Sequence, residues 1–187
     1  MEAALRVFAR DGIAKSRIGD IAAEAGVPQS ALYDYFSGKQ SIAHSVPIAN
    51  LVDFFRQYAE IVQGKTTAYE KLHLYLWFAA DYARKHPVWA RVLYLEIWPS
   101  VLVEDSTLKE CFDDYLRIIL YLLREGEDYK EWPLIDDLYE LSAIFVGGIN
   151  QRIITRALYL RPRNISKAAE SMVDRMLTLL NRYPQTG

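Results

Sequence analysis

The stretch Ser16 to Lys39, SRIGDIAAEAGVPQSALYDYFSGK, holds the pattern from which the fold is read. Ile18, Ile21, Ala22 and Ala25 recur at helical spacing on one face, and Gly26 follows, a residue that accepts the left-handed backbone at which helices end. Val27 anchors the turn. Pro28 opens a second helix, because its fixed φ suits the first helical turn and its missing N–H had no partner there to lose. Two short helices about a glycine turn result. In the second, Leu32 and Phe36 lie four apart and can pack against Ile21 and Ala22, which leaves Gln29, Ser30, Tyr33 and Tyr35 toward the outside.

That outer face is short, polar and aromatic. It suits the major groove of DNA, where side-chain amides and hydroxyls read base edges while tyrosine hydroxyls and a lysine take phosphate oxygens. Lys39 sits just past the helix end. An isolated AxxAGV fragment would more often be core filling, but here the whole string coincides.

At these residues the chain resembles the TetR family of transcriptional regulators, whose signature is an apolar helix ending LFxxxG, then T-x-x-x-DIAxxAGV, then a recognition helix ending LYxYFxxK. The chain has Leu5, Val7, Phe8 and Gly12, then Ser16, Asp20 to Ala22 and Ala25 to Val27, then Leu32, Tyr33, Tyr35, Phe36 and Lys39. The match covers about the first 45 residues. The resemblance implies that Gln29, Ser30 and Ala31 fall where the family reads bases, that Tyr33, Tyr35 and Lys39 fall where it holds phosphate, and that Ser16 and Arg17 lie beside the phosphates. Two departures stand out. The chain begins at Met1 inside the first helix, so a basic minor-groove arm is not expected from these residues. Gly19 stands where the family has a small or charged residue, and a mid-helix Gly costs about 1 kcal/mol against Ala.

A net charge of −2 gives no general affinity for nucleic acid. Residues 1–45 carry Arg6, Arg10, Lys15, Arg17 and Lys39 against Glu2, Asp11, Asp20, Glu24 and Asp34. So few cations release few counterions, which argues that two copies act together. With 51% apolar residues in 187, the chain has enough for a core beyond the head. Cys111 is the only cysteine, which excludes an internal disulfide and a cysteine metal site. No apolar run approaches the ~18 residues that span a bilayer, so a soluble, cytoplasmic protein is expected, with no membrane partner.

Residues 2 to 11 form a support helix, with Ala4, Leu5, Phe8 and Ala9 on one stripe. A connector helix runs from Ser41 to Gly64, with Pro47 in its early turns, where it can kink the axis. Further helices are predicted over 66–86, 88–98 and from Ser106 or Thr107 to Gly126, then, after a polar EGEDYKEWP loop, over Leu134–Leu160 and Ser166–Tyr183. No strand alternation is visible. The fold class is therefore all-α: residues 1–45 a helix-turn-helix DNA-binding head, residues 46–187 a larger ligand-binding and dimerisation body.

In the last helix Ala169, Met172, Val173, Met176 and Leu180 belong to an apolar face wider than a surface helix needs, and Gly147-Gly148 in the helix before it suits a close helix approach. Either both helices are central in one subunit or they meet a partner; the resemblance implies a four-helix homodimer interface. The body is rich in aromatic residues, which fill cores but also wall small-molecule pockets. Trp77, Trp98, Tyr115 and Phe145 are the expected wall, with Asn150 as a polar contact. No cofactor or metal is expected. The DDLYE segment, with Asp136, Asp137 and Glu140, resembles an aspartate-rich magnesium motif, but such acids also suit the first turn of a helix. The histidines, His44, His73 and His86, have no ligand spacing. Together these features predict a homodimeric repressor that binds an operator in double-stranded DNA and leaves it when a small hydrophobic or aromatic effector binds. The alternative is a ligand- or protein-binding helical dimer that has lost DNA binding.

Overall fold

The computed structural model describes residues 1–100 and 106–180. The helices are α1 (Glu2–Asp11), α2 (Ile18–Ala25), α3 (Gln29–Tyr33), α4 (Lys39–Ile61), α5 (Ala68–Lys85), α6 (Pro87–Val92), α7 (Ser106–Asp128), α8 (Leu138–Tyr159) and α9 (Ile165–Leu177), and α6 continues into a π-helical turn, Leu93–Ile97. Among the described residues there is no strand. The chain divides into two compact units, one of Met1–Asp53 with His86–Cys111, the other of Phe54–Lys85 with the residues from Phe112 onward.

In the first unit α1 packs on α2 and on α6, and α2 packs on α3. Val7 and Phe8 of α1, Ile21 and Ala22 of α2, and Ile42, Ala43 and Val46 of α4 are buried there. Gly12 (φ 77°) and Gly26 (φ 68°) end α1 and α2 in the left-handed region that glycine favours. The start of α2 is held by Asp20, whose carboxylate accepts the Arg17 N–H at 2.9 Å. Because α2 begins at Ile18, Gly19 lies in its first turn rather than mid-helix, and the expected mid-helix penalty does not apply in full. Pro47 is carried inside α4, which runs on to Ile61.

In the second unit α5 packs on both α8 and α9, which also pack on each other. Its centre is aromatic. Phe54 meets Tyr75, Phe78, Tyr82 and Tyr115 with ring centroids 5.1 to 5.9 Å apart, and Tyr58 stands edge-on to Tyr75 at 4.8 Å. Buried Asp81 on α5 ties α5 to α9, accepting from Ser166 Oγ at 2.8 Å, Arg84 Nε at 2.9 Å and Lys85 Nζ at 3.0 Å. His73 of α5 meets Asp174 of α9 at 2.9 Å.

Several boundaries differ from those read in the sequence. The helix expected from Leu134 starts at Leu138, because Asp137 caps it by accepting the Glu140 N–H at 2.9 Å. The last helix starts at Ile165, capped by Asn164, which accepts the Lys167 N–H at 3.0 Å, and it ends at Leu177 with Thr178 as its C-cap, short of the expected end at Tyr183, which itself lies outside the described residues. Ser106 is already helical, so Thr107 is not the cap. Gly126 does not end α7, which continues to Asp128. Instead it makes room for the buried Trp132 ring, whose Cζ2 would lie 1.9 Å from a Cβ at that position, and Trp132 Nε1 donates to Leu123 O at 3.0 Å. Nor is the acidic stretch after it a plain polar loop. The Glu131 carboxylate accepts the Ala68 and Tyr69 N–H groups at 2.7 and 2.8 Å, capping α5, and Glu127 accepts the Ile135 N–H at 2.7 Å.

Candidate DNA-reading surface and effector groove

The α2–turn–α3 pair presents a face that the rest of the first unit leaves open. No residue of α3 is buried; Gln29 and Ser30 are exposed, Ala31 is half-buried, and Tyr33 and Tyr35 are 53% and 82% exposed. Gln29 Nε2 donates to the Tyr33 hydroxyl at 3.4 Å, a long contact that leaves the amide available. The amide oxygen of Gln29 lies 3.2 Å from where a Cβ on Gly19 would stand, so the missing side chain at position 19 gives Gln29 its place.

Cations around this face fall into two groups. Arg6 Nε pairs with Glu24 at 2.7 Å, and Arg10 pairs with Asp11 at 2.9 Å and with Glu24 at 3.5 Å, so neither offers an uncompensated charge. The hydrogen bond from Arg6 holds the Glu24 carboxyl below the usual range, and that from Arg10 does the same for Asp11. Lys15 and Arg17, on the turn between α1 and α2, are exposed, and no carboxylate among the described residues pairs with them. Lys15 was not singled out in the sequence, although its place two residues before Arg17 was the signal. Ser16 turns inward: it is 3% exposed and its hydroxyl donates to Ile13 O at 2.9 Å. Lys39 also turns toward the protein, donating to Ala14 O at 3.0 Å and Ser16 O at 2.9 Å.

The residues expected to wall an effector site belong to both units. Trp98, 37% exposed, stacks on Tyr94 in the first unit, whereas Trp77, Tyr115, Phe145 and Asn150 belong to the second. Phe145 is fully buried, and Trp77 and Asn150 are half-buried. Tyr115 is 5% exposed, and its hydroxyl is buried without a hydrogen-bond partner, so burial pushes its pKa far up. The second unit also carries an apolar groove of about 680 Å³, lined by Phe55, Tyr58, Ala59 and Val62 of α4 and by Asp114, Arg117, Ile118 and Tyr121 of α7. Each helix contributes residues at i, i+3, i+4 and i+7, the spacing of one helical face, and this was the signal in the sequence that was not used for a site. Tyr58 joins the groove to the aromatic centre, and burial, with the Glu125 charge, pushes its pKa up as well.

On α8 the residues Ala143, Ile144, Gly147, Gln151 and Leu158 are exposed. Gly147 has open space above it. Gly148 faces inward, where Met176 Cε would meet its Cβ at 2.8 Å. Ala169, Val173, Met176 and Leu180 are buried against their own chain, while Met172 is half-buried. Asp137 serves as a helix cap, and no group of three or more His, Cys, Asp or Glu among the described residues could hold a metal.

A three-helix head with an exposed recognition helix, joined to a larger helical unit, defines the class of helix-turn-helix transcriptional regulators. The sequence profile of the bacterial regulatory proteins of the tetR family matches residues 1–46. The chain is 31% identical over 155 residues to the fatty acid metabolism regulator protein of Bacillus subtilis (strain 168), spanning 83% of this chain and 80% of that one. It is 31% identical over 142 residues to the nucleoid occlusion factor SlmA of Pasteurella multocida (strain Pm70), spanning 70% and 69%. Among solved structures, the transcriptional regulator FadR from Bacillus subtilis in complex with stearoyl-CoA superposes with a TM-score of 0.87 at 25% identity, over 95% of each chain. The chain belongs to the TetR family. It is a ligand-responsive, DNA-binding transcriptional repressor that works as a homodimer on operator DNA. Among the described residues no helix is long and apolar enough to cross a membrane.

Proposed function

We propose that the effector is a long-chain acyl thioester and that its acyl chain lies in the α4–α7 groove. The observation that carries this reading is the groove itself, open, apolar and lined by matching faces of two helices, with Arg117 at its edge. The stearoyl-CoA held by the similar FadR of Bacillus subtilis supports the ligand class. Tyr115, with its unpartnered buried hydroxyl, and Trp77 lie in the same unit and would adjust as the chain enters. A buried hydroxyl without a partner is costly, and a ligand carbonyl would relieve it. To change operator occupancy, the thioester must bind the two conformations of the dimer with different affinity.

On the DNA side, Gln29, Ser30 and Ala31 read bases, while Tyr33, Tyr35, Lys15 and Arg17 take phosphates. The dimer forms through the exposed side of α8 and α9, namely Ile144, Gly147, Gln151, Leu158 and Met172, with Gly148, Ala169, Val173, Met176 and Leu180 holding the two helices together beneath it. The protein acts in the cytoplasm and has no catalytic role.

Fluorescence anisotropy of a labelled operator duplex tests the effector assignment. Stearoyl-CoA releases the operator from the wild-type dimer, and Ala59→Trp, which fills the groove, makes the complex insensitive to it without changing operator affinity. Release that is equally strong in the groove-filled variant would place the effector elsewhere. No release by stearoyl-CoA would remove the thioester class.

A further inference from the structure

The turn from Gly12 to Arg17, between α1 and α2, is gripped by two groups of opposite charge that come from distant parts of the sequence. Lys39, the first residue of α4, donates to the carbonyls of Ala14 and Ser16 at 3.0 and 2.9 Å. Glu96, in the π-helical turn that follows α6, accepts the Ile13 N–H at 3.2 Å. Its carboxylate lies so close to Gly12 that a Cβ there would stand 3.3 Å from Oε2, and Gly12 is held at φ 77°. Inside the turn, the Ser16 hydroxyl bonds Ile13 O at 2.9 Å and the Ser16 N–H bonds Gly12 O at 3.2 Å.

We propose that Lys39 and Glu96 are positioning residues for DNA reading, fixing the α1–α2 turn and through it the pose of α2 and α3. The turn passes straight into Ile18, the first residue of α2, and α2 carries α3 against it. The ammonium has matched two carbonyls and the carboxylate one N–H, which is the pairing that charge-assisted hydrogen bonds require. A π-helical turn is rare and is found frequently at functional sites, and Glu96 stands in this one. On this inference Lys39 acts on affinity through the protein, not through a phosphate. The inference rests on α3 being the DNA-reading helix.

The test combines operator binding over a range of salt concentrations with hydrogen exchange at the Ile13 amide. Lys39→Met lowers operator affinity roughly ten-fold, the effect of losing charge-assisted hydrogen bonds, while the salt slope stays at the wild-type value. If Lys39 were a phosphate contact, the slope would fall by about 0.9 per subunit, and that result would overturn its positioning role. Glu96→Ala weakens operator binding although it removes a negative charge from a DNA-binding protein, and Glu96→Gln, which keeps an acceptor for Ile13, stays within about two-fold of wild type. Tighter binding by both Glu96 variants would mean that only charge matters there and would contradict the proposal. The Ile13 amide exchanges slowly in the wild type and in Glu96→Gln but fast in Glu96→Ala. This exchange reads the grip without DNA, so it still decides the matter if a variant is too unstable to bind. A wild type that binds no duplex while the exchange pattern holds would fault the DNA-reading assignment and leave the grip in place.

Discussion

Glycines in this chain do three different jobs, and the sequence distinguishes only one of them. Gly12 and Gly26 end helices at positive φ, as their position after an apolar helical face announces. Gly126 has the same sequence context, yet it lies within α7 and yields its space to Trp132, a partner six residues on that no local pattern names. Gly126→Ala should therefore destabilise the protein by about 1–3 kcal/mol through overpacking against a rigid ring, where helix propensity alone would give a gain of about 1 kcal/mol; a thermal or urea melt distinguishes the two signs. Gly148→Ala should be tolerated, because the atom it meets is the mobile end of Met176. Gly19 stands beside Gln29 on the candidate DNA-reading face. Gly19→Ala should push the Gln29 amide aside and alter base preference at the same operator position as Gln29→Ala, without loss of stability, when duplexes selected by each variant are sequenced. The exposed candidates on α3 were legible because they are what remains once Leu32 and Phe36 are assigned inward. The inward turns of Ser16 and Lys39 were not, since they depend on carbonyls that only the folded α1–α2 turn brings together.

The helices themselves were legible from apolar periodicity, with errors at the ends where a side chain reaches back to the backbone. Asp137 and Asn164 each set a start that periodicity alone placed four residues too early or one too late. The EGEDYKEWP segment was read as a polar loop, but its first four residues belong to α7 and its Glu127 and Glu131 accept backbone N–H groups, and acceptors for distant N–H groups leave no local pattern. The attachment of α5 to α9 was equally hidden. Burial raises the Asp81 pKa, but hydrogen bonds from Ser166, Lys85 and Arg84 outweigh it and hold the carboxyl below its ordinary value. A lowered native pKa means that the stabilisation is complete above the ordinary aspartate value and is lost as pH falls through the lowered one. Asp81→Asn should thus cost about 1–3 kcal/mol at neutral pH, and the gap to wild type should close in denaturant titrations below about pH 3.9. A gap that is unchanged in acid would show that shape, not charge, joins these helices.

For the molecule as a whole, the small cation supply of the head makes the second subunit necessary. With Arg6 and Arg10 neutralised, Lys15 and Arg17 remain as exposed charges without a carboxylate partner among the first 45 residues, and doubling them in a dimer doubles the counterions released. Ile144→Glu, on the exposed side of α8, should convert the dimer to monomer in sedimentation and lower operator affinity together, because one head alone lacks both the contacts and the two-fold match. Composition and the helix-turn-helix string were sufficient for this level of organisation, whereas the proposed effector groove needed two helices far apart in sequence to be placed side by side. The measurement that bears most directly on the whole reading is selection of bound duplexes from a random library at fixed, near-physiological salt. A consensus with two-fold symmetry is expected, its half-sites about 34 Å or a multiple of that apart, and bound duplexes should be released by stearoyl-CoA. Enrichment of no sequence, or of one without symmetry, would contradict a dimeric operator reader.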